Sequence, residues 1–552
     1  MDKIAQHNNL ELKKNYTRQV LLQTENFELV SCEWLAGSKS DLHSHGFTQC
    51  HILVQEGEFT NVLKSAHNSQ SKVYRVGEVI SVYSGVQHQI ECSSITGKTF
   101  HVYTPKLIDD VETNISNNFA PVDPQKIHSL IDISLKNHGV SFQDLIQITE
   151  VVKSLSVKTD SIHFMNQLFS GVHPESLLAD QVIAQTRTTA ATYEASPVFT
   201  TIELEVIKKL GELIGWNTES CDGITVAGGS AANFMALHCA RHRHNPNYKQ
   251  TGMAGAQYKI FVSKEAHYSF QKACVAMGFG LDSLVLVDAD QNGKMNPAHL
   301  QELILISIKQ KQTPLLVCAT AGTTVLGAFD PIQVMSEICK KHNIWLHIDG
   351  AWGGPILFSE RRNTLLAGIE NCDSMTFDAH KLLGATLACS FFLTQHQGLL
   401  FDANNVSGGA YLFHEDNETP DLGRQSWQCG RRPDAFSFWL MWKSQGSEGF
   451  KKLIDHLYSV QTESVAWIKK QAHLTLVNEP EFFNLCVRVK NPNRQDDNTW
   501  STEVRNRLKS ENKTMMNFST NQDGSFLRLI LANPQIETEH VKNILTAALE
   551  MH

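Results

Sequence analysis

The stretch from Ile344 to Gly354 reads Ile-Trp-Leu-His-Ile-Asp-Gly-Ala-Trp-Gly-Gly, a short and mostly apolar run that ends in an aspartate and glycines. A second apolar run, Leu315-Leu316-Val317-Cys318, comes directly after Pro314. Between Gly223 and about Leu393, such runs alternate with segments of helical period. Strands that alternate with helices form a mostly parallel sheet covered on both faces, so this part of the chain predicts an α/β domain.

The flanking segments predict helical and mixed structure. Thr200 to Leu213 has the apolar spacing of an amphipathic helix. The C-terminal residues mix helical and strand patterns. We therefore expect a helical segment at 127–215, a large domain at 216–440 and a small α/β domain at 441–552.

Upstream, residues 1–105 have the pattern of an antiparallel sheet. Apolar and polar residues alternate from Phe27 to Trp34 and from Lys72 to Val76, and glycines interrupt these runs at hairpin-like intervals. This pattern predicts a small all-β barrel. The polar residues 106–126 that follow it predict a linker.

The overall composition is that of an ordinary globular protein of several domains, because 552 residues exceed the size of one domain. A formal net charge of −9 and a pI near 6.3 argue against nucleic acid or a membrane surface as a partner. No apolar run approaches the ~18 residues of a membrane span, and residues 1–15 contain no apolar signal core. The 12 cysteines are scattered, which favours reduced thiols and a cytoplasmic location.

Three histidines of the upstream segment could bind a metal. His43 and His45 are two residues apart, so both side chains would lie on one face of a strand, and His88 could supply a third imidazole. Neutral imidazoles on a rigid sheet suit Fe(II). The competing interpretation is an exposed surface pair, since the chain has 25 histidines.

The residues around these histidines favour the metal. Gly37, Gly57 and Gly85 have cupin-like spacing to them, and the segment from Tyr16-Thr17-Arg18 to residue 105 resembles the cysteine dioxygenases, which are cupins. Trp34 also matches the family. The resemblance implies an iron site with the following residues: His43, His45 and His88 as ligands, Cys50 and Tyr103 as a pair beside the iron, His101 behind Tyr103, and Arg18 for the substrate carboxylate.

This upstream resemblance has departures. It covers only residues 16–105, and Thr99 stands where the family usually has a serine behind the histidine. A metal-binding cupin that is inactive and acts as a sensor is therefore an open alternative.

Downstream, several motifs follow predicted strands. Lys381 ends the run Asp378-Ala379-His380-Lys381, and Asp349 ends the strand quoted first. The motif from Ala227 to Asn233 opens a predicted helix with two glycines, and a glycine-rich helix N-terminus suits a phosphate group. With the runs Glu265–Ser269 and Thr320–Thr324, these motifs make the chain from about Phe164 onward similar to the group II pyridoxal-phosphate decarboxylases, particularly the glutamate and cysteine sulfinate decarboxylases.

The downstream resemblance implies a fold-type I enzyme that uses pyridoxal 5'-phosphate and forms a homodimer. Lys381 would attach the cofactor and Asp349 would keep its pyridine nitrogen protonated. The remaining implied cofactor residues are Gly229, Ser230, His267, Thr320, Ala351 and His380, with His267 also catalytic. Phe164 and Asn166 resemble the branch that takes acidic substrates, and Arg528 matches the arginine for the α-carboxylate.

One family feature is missing. The mobile catalytic loop usually carries a tyrosine that returns a proton to the α-carbon, but residues 414–428 contain none. His414 and His267 are candidate proton donors.

The two resemblances together predict a bifunctional enzyme of taurine biosynthesis. The upstream site would oxidise L-cysteine with O2 to cysteine sulfinate, and the downstream site would decarboxylate cysteine sulfinate to hypotaurine. The alternative is a decarboxylase of aspartate, glutamate or cysteate with a regulatory or structural metal-binding cupin. A 3-mercaptopropionate-type dioxygenase is disfavoured by Cys50 and Tyr16-Thr17-Arg18.

Overall fold

The computed structural model describes residues 11–13, 16–23, 28–40, 49–64, 69–82, 87–104, 119–253, 255–406, 409, 411–413, 420–491 and 498–551. The chain divides into two compact units, Met1–Val157 and Lys158–His552. His43, His45 and His414 lie outside the described residues, as does most of the predicted linker.

The first unit is built on antiparallel strands, as the sequence predicts. Its described strands, β1 to β9, are Glu11–Lys13, Tyr16–Gln23, Glu28–Leu35, Gln49–Glu56, Glu58–Lys64, Ser69–Arg75, Val79–Val82, Gln87–Cys92 and Thr96–Thr104. They form a six-stranded sheet in the order β1-β2-β3-β9-β4-β7 and a three-stranded sheet in the order β6-β5-β8. Closure of these sheets into a cupin barrel stays a prediction.

The inner faces of both sheets share one apolar core. Val30, Cys32 and Trp34 of β3 pack with Ile52 of β4 and with Phe59 of β5. The alternation in the sequence has produced this arrangement, because successive side chains of a strand point to opposite faces. The turn from β4 to β5 needs Gly57, whose φ is +84° and whose Cβ would lie 2.6 Å from the carbonyl oxygen of Thr96.

Two helices follow in the first unit, α1 (Pro124–Leu130) and α2 (Phe142–Leu155). A capping box starts α2: Ser141 Oγ accepts from the backbone N–H of Asp144 at 3.2 Å, and Asp144 Oδ2 accepts from the backbone N–H of Ser141 at 3.0 Å.

The second unit alternates strands and helices. Its strands, β10 to β21, are Phe164–Met165, Asp222–Val226, Tyr258–Ser263, Leu284–Val287, Thr313–Thr320, Trp345–Gly350, Ser374–Asp378, Ser390–Thr394, Leu474–Leu476, Asn484–Val489, Met515–Asn521 and Gly524–Ile530. Its helices, α3 to α14, are Pro174–Thr186, Pro197–Ile214, Gly229–His244, Tyr248–Thr251, Ser269–Ala276, Pro297–Lys309, Ile332–His342, Arg362–Leu365, Leu399–Asn404, Ala435–Ile468, Trp500–Ser510 and Thr538–Leu549. Within the described chain, none of these helices has the length and apolar character of a membrane span.

A seven-stranded sheet in the order β11-β17-β16-β15-β14-β12-β13 forms the centre of this unit. The pairings from β16 to β13 are parallel, and β17 is antiparallel to both of its neighbours. Leu316 and Cys318 of β14 lie in one apolar cluster, whereas Val317 and Ala319 lie in another. The sheet is therefore buried on both faces, which confirms the α/β prediction.

The C-terminal part forms a second sheet, in the order β10-β20-β21-β19-β18. Strand β10 comes from far upstream and pairs in parallel with β20, while the other pairings are antiparallel. The long helix α12 is interrupted at Gly446, where φ is +64°. The mixed α/β character expected of the C-terminal residues is present.

Candidate active site

The carboxyl ends of three adjacent strands bring the downstream motif residues to one edge of the seven-stranded sheet. Thr320 of β14 lies opposite Asp349 of β15, and Asp349 lies opposite Thr376 of β16. Strand β16 ends at Asp378, and Lys381 follows three residues later. Ligands of open α/β sheets bind outside the carboxyl ends of the strands, so this edge is the candidate site.

Lys381 and Gly229 meet at Asp378. Lys381 Nζ lies 3.1 Å from Asp378 Oδ2 in a mostly buried ion pair. A Cβ on Gly229 would lie 2.6 Å from the same oxygen and 3.2 Å from the Cβ of Ala351. Only glycine fits there, and the start of α5 can thus approach the lysine closely. Helix α5 has no side-chain N-cap, which leaves its first N–H groups available to an anion.

Asp349 is buried and held by hydrogen bonds on both oxygens. Oδ2 accepts from Asn233 Nδ2 at 2.8 Å, and Oδ1 accepts from the backbone N–H of Ala351 at 3.2 Å. These bonds fix the carboxylate in one orientation.

Behind Asp349 lies a chain of hydrogen bonds in which every residue donates towards Asp349. The Trp345 indole donates to Ser374 Oγ at 2.9 Å, Ser374 Oγ lies 2.8 Å from His347 Nδ1, and His347 Nε2 lies 3.0 Å from Asn233 Oδ1. An indole can only donate and an ionised carboxylate can only accept, so each link from Trp345 to Asp349 has a fixed donor. Burial lowers the pKa of His347 to about 4 and keeps it neutral, as this chain requires.

His267 and His380 both lie at the site. Burial lowers the pKa of His267, while the nearby carboxylates of Asp349 and Asp378 oppose this shift and Lys381 reinforces it. The Nδ1 of His267 accepts from the backbone N–H of Ser269 at 3.3 Å. His380 Nδ1 lies 3.1 Å from the Cys389 carbonyl oxygen and 3.3 Å from the Cys389 backbone nitrogen.

The edge of the sheet that carries Thr320, Asp349 and Lys381 is called the lysine edge. The loop after Thr320 connects the lysine edge to Arg528. Asp330 holds its start, accepting from the backbone N–H groups of Thr320 and Met295 at 2.7 Å each. Further along, Cys486 Sγ donates to the Val325 carbonyl at 3.3 Å, and Cys486 lies opposite Arg528 between β19 and β21.

Arg528 is 8% exposed, and its Nε has no hydrogen-bond partner in the part of the chain that the structure describes. A buried guanidinium needs an anion, and a substrate carboxylate would supply one.

Phe164 and Asn166 lie along the C-terminal sheet. Phe164 pairs with Met515 and is 6.0 Å, between ring centroids, from Phe169. Asn166 follows β10, and its Oδ1 is buried without a hydrogen-bond partner among the described residues. Ser230 is exposed at the start of α5. No described contact joins Phe164 or Asn166 to Lys381.

The residues of the lysine edge fit pyridoxal phosphate. A fixed, buried carboxylate, a lysine beside a helix N-terminus and an unpartnered buried Thr320 Oγ1 match the groups of this cofactor. Gly229 leaves space that a side chain would fill. These groups are therefore suitable partners for a phosphate and for a protonated pyridine nitrogen.

The first unit contains a separate polar cluster on its inner face. Tyr103 of β9 lies directly opposite Cys50 of β4. His101 Nδ1 is 3.2 Å from Tyr103 Oη and 3.9 Å from Cys50 Sγ. His101 Nε2 is 2.9 Å from Thr99 Oγ1, which accepts from the Trp34 indole at 2.8 Å. Burial raises the pKa of both Cys50 and Tyr103.

His88 is the described member of the expected iron ligands. It is buried, and its Nδ1 lies 3.1 Å from Asn61 Oδ1, an arrangement that fixes the ring of many metal-binding histidines. Within the described ranges, no group of three His, Cys, Asp or Glu side chains could hold a metal ion, and His43 and His45 fall outside them.

Arg18 has a protein partner that the sequence reasoning missed. Its Nη2 donates to Glu28 Oε1 at 2.7 Å, and the Glu28 side chain is 4% exposed. Asn233, Asp378 and Asn61 were also missed as site residues. Glu28 had a visible signal, because the alternation from Phe27 to Trp34 puts this charged residue on the apolar face of β3. The partners of the other three depend on folding and left no such signal.

Comparisons with known proteins agree with the lysine site. Residues 124–490 match a family model described as "Pyridoxal-dependent decarboxylase conserved domain". Rat cysteine sulfinic acid decarboxylase is 38% identical over 427 residues, covering 75% of this chain and 86% of that protein. Mouse acidic amino acid decarboxylase GADL1 is 32% identical over 532 residues, covering 91% of this chain and 96% of that protein. The crystal structure of mouse CSAD has a TM-score of 0.73 at 36% identity, covering 78% of this chain and 92% of that one.

Proposed function

The chain belongs to the pyridoxal-dependent decarboxylase family, and we propose that its second unit converts L-cysteine sulfinate to hypotaurine and CO2. The carrying observation is the buried Arg528, whose Nε has no hydrogen-bond partner in the described chain. That guanidinium is suited to the substrate α-carboxylate.

The roles of the lysine-edge residues follow from their chemistry. Lys381 would attach the cofactor through Nζ, Gly229 and Ser230 would hold its phosphate at the start of α5, and Asp349 would keep its pyridine nitrogen protonated. When bound, pyridoxal phosphate supplies the electron sink that accepts the electrons left by CO2. Ala351, Thr320, His380 and His267 would hold the cofactor, and Phe164 and Asn166 would select the substrate side chain.

The proton that replaces CO2 on the α-carbon needs a donor. In the family this is a loop tyrosine, which residues 414–428 lack. His267 is our candidate within the described residues, because its Nδ1 accepts from Ser269 and its Nε2 therefore carries the proton.

The test compares four amino acids on the cofactor-loaded protein: L-cysteine sulfinate, L-cysteate, L-aspartate and L-glutamate. We expect the highest kcat/KM with cysteine sulfinate, with equal amounts of CO2 and hypotaurine. Lys381→Ala should stop CO2 release, whereas Lys264→Ala, at a surface ion pair with Asp288, should leave it unchanged. A preference for aspartate, or CO2 release by Lys381→Ala, would contradict the assignment.

For the first unit we propose a cupin that oxidises L-cysteine and so produces the substrate of the second unit. Its thiol site would contain Fe(II) bound by His43, His45 and His88, with Cys50, His101 and Tyr103 beside it. L-Cysteine would lose the thiol proton and gain both oxygen atoms of O2 at sulfur, giving cysteine sulfinate. Tethering would keep this product near the decarboxylase. The supporting observation is the Cys50–His101–Tyr103 cluster.

The experiment supplies the iron-loaded protein with cysteine and O2. We expect cysteine sulfinate and then hypotaurine, and we expect His88→Ala to lose oxidation while still decarboxylating added sulfinate. The absence of oxygen uptake with cysteine would favour the alternative, a regulatory or structural cupin fused to a decarboxylase of aspartate, glutamate or cysteate.

The organisation that goes with this function is also part of the proposal. It comprises a cupin at 1–105, a linker at 106–126, a dimerising helical segment at 127–215, a cofactor domain at 216–440 and a small domain at 441–552. The homodimer is the assembly expected from the family resemblance, and sedimentation of the full chain tests it.

A further inference from the structure

We propose that Asp378 binds the phosphate of the cofactor as a neutral acid, donating the proton of its carboxyl group to a phosphate oxygen in a hydrogen bond. This inference rests on the proposed cofactor site of the second unit. It gives a role to a buried acid that lies three residues before Lys381.

Asp378 lies at the start of helix α5, where the phosphate is proposed to bind. It is the last residue of β16, and its side chain is 1% exposed. A Cβ on Gly229, the first residue of α5, would lie 2.6 Å from Oδ2 and 3.1 Å from Oδ1 of Asp378. A phosphate that accepts from the first N–H groups of α5 therefore lies beside this carboxyl group.

Few contacts hold a negative charge on Asp378 once the cofactor is attached. Neither of its oxygens has a hydrogen-bond partner in the part of the chain that the structure describes. By contrast, Asp349 on the same edge accepts two hydrogen bonds. Burial without such bonds strongly penalises a charged carboxyl group.

Lys381 balances the charge of Asp378 only in the unloaded protein. Its Nζ lies 3.1 Å from Asp378 Oδ2, without the geometry of a hydrogen bond, and it is the one ion-pair partner of Asp378 among the described residues. Attachment of the cofactor consumes this amine, because Nζ forms a double bond to the aldehyde carbon while the aldehyde oxygen and the two amine protons leave as water. The free ammonium beside Asp378 is then lost.

The other ionisable groups around Asp378 do not replace that cation. His267 and His380 interact with it electrostatically, and burial lowers the pKa of both histidines. Asp349, which also acts on the pKa of His267, and the Cys389 thiol, whose pKa burial raises, supply no positive charge. A bound phosphate adds roughly −1.5 to −2 charges. A proton on Asp378 removes the repulsion between the two acids and supplies a hydrogen bond.

The experiment compares two ligands of the full-length chain freed of cofactor: pyridoxal 5'-phosphate, and pyridoxal, which has no phosphate. The Kd of pyridoxal divided by the Kd of pyridoxal phosphate is called the phosphate preference. Asp378→Asn should leave the phosphate preference close to that of the wild type, because an amide N–H donates as a neutral acid does. Asp378→Ala has no donor and should lower it by about tenfold.

A second measurement detects the proton itself. The infrared difference spectrum between loaded and cofactor-free protein should contain the C=O band of a protonated carboxyl group, even at a pH well above the usual range of carboxyl groups. Asp378→Asn should lack this band. The matched control is Asp288→Asn, at a surface acid that pairs with Lys264, and it should change neither the band nor the phosphate preference.

The outcomes separate this inference from the proposed function. If Asp378 keeps its charge, both of its variants should raise the phosphate preference and no band should appear, and either result would overturn the neutral acid. An equal loss of affinity for both ligands in Asp378→Ala would identify a structural role and overturn the phosphate contact. If Asp378→Ala does not fold, the band and the Asp378→Asn variant still test the proton. Failure of the wild type to bind pyridoxal phosphate would overturn the proposed cofactor site and this inference with it.

Discussion

The Asn233 side chain makes four hydrogen bonds, and together they fix which end of its amide group donates and which end accepts. Its Nδ2 donates to Asp349 and to Ser269, while its Oδ1 accepts from Thr376 and lies 3.0 Å from His347 Nε2. An amide is the side chain that both donates and accepts in this way. Asn233 is thus a positioning residue that holds the carboxylate proposed to contact the cofactor ring.

Replacing Asn233 by aspartate removes the donor and puts a second carboxylate against Asp349. One of the two must then take a proton or move away. We expect Asn233→Asp to raise the Kd for pyridoxal phosphate by about tenfold or more, about 1.4 kcal/mol, in a titration followed by cofactor absorbance. The control is the exposed Asn363→Asp. An unchanged Kd in Asn233→Asp would show that Asp349 does not depend on the amide.

Arg528 gives a second prediction at the scale of one residue. Lysine keeps the charge but loses the planar pair of donors that matches a carboxylate. Arg528→Lys should therefore raise KM for cysteine sulfinate by about tenfold, with a smaller effect on kcat. Steady-state kinetics distinguish these effects, and a fall in kcat at constant KM would contradict a role in substrate binding.

Sequence reasoning at this scale worked where a residue type and its place on a strand were enough. Asp349 could be placed at a strand end because it follows an apolar run, whereas Lys381 was identified by the family resemblance. Glu28 could be recognised as a charged residue on the apolar face of β3, but its pairing with Arg18 could not, because the ladder of β2 and β3 is irregular between Val20 and Leu22. That irregularity changes which residues face each other, and no local pattern encodes it.

At the scale of elements, a buried ion pair joins helix α4 to the segment before α12. Arg431 Nη2 lies 2.5 Å from Glu203 Oε1, and the two side chains are 2% and 1% exposed. Arg431 also donates to the Ala190 carbonyl and to Thr225 Oγ1. The Arg431 guanidinium therefore connects the segment before α12 to residues around Ala190, Glu203 and Thr225, which lie far upstream in the sequence.

We expect Glu203→Gln to lower the free energy of unfolding by about 3–5 kcal/mol, since it leaves Arg431 charged, buried and without its anion. Urea denaturation of the full chain measures this change. The comparison variant is Glu479→Gln, at the exposed ion pair with Lys469, which should change the free energy by less than about 1 kcal/mol. Equal effects of the two substitutions would mean that the buried pair contributes no more than a surface pair.

The sequence predicted element types better than element ends. The period of the apolar residues indicated the parallel sheet and helix α4, because burial on one or both faces imposes that period. It did not indicate the interruption of α12 at Gly446. It also did not predict that β10 pairs with β20, since strands so far apart in sequence meet only in the folded unit.

At the scale of the whole molecule, buried histidines and acids make stability depend on pH in opposite directions. Burial lowers the pKa of His347 and of His238 to about 4. Between pH 6.5 and 4 the unfolded chain binds protons that these folded groups do not, so stability falls as the pH falls. Burial raises the pKa of Asp330 to about 7, which acts in the opposite direction.

A comparison of variants isolates the histidine contribution. Wild type should lose about 2 kcal/mol more stability than His347→Gln between pH 7 and pH 5, because the variant has no group to protonate at this position. Urea midpoints at the two pH values give the difference. Above pH 7 the two proteins should run parallel. An identical pH dependence below pH 7 would mean that His347 does not stay neutral in the folded protein.

The change of pattern along the chain, from alternating β residues to alternating strands and helices, was foreseeable. The proximity of Arg528 to the loop after Thr320 was not foreseeable. It arises through Cys486 and Val325, residues with no chemical signal of their own, and it exists only once the C-terminal sheet has packed.

The hydrogen-bond chain from Trp345 to Asp349 has a consequence for the history of this protein. Ser374, His347 and Asn233 each accept a hydrogen bond from one neighbour and donate a hydrogen bond to the next. A mutation at any one position breaks both of its links unless the replacement both donates and accepts. Most single substitutions at these positions should therefore be selected against. Relatives that differ at one of these positions should carry compensating changes at the neighbouring positions.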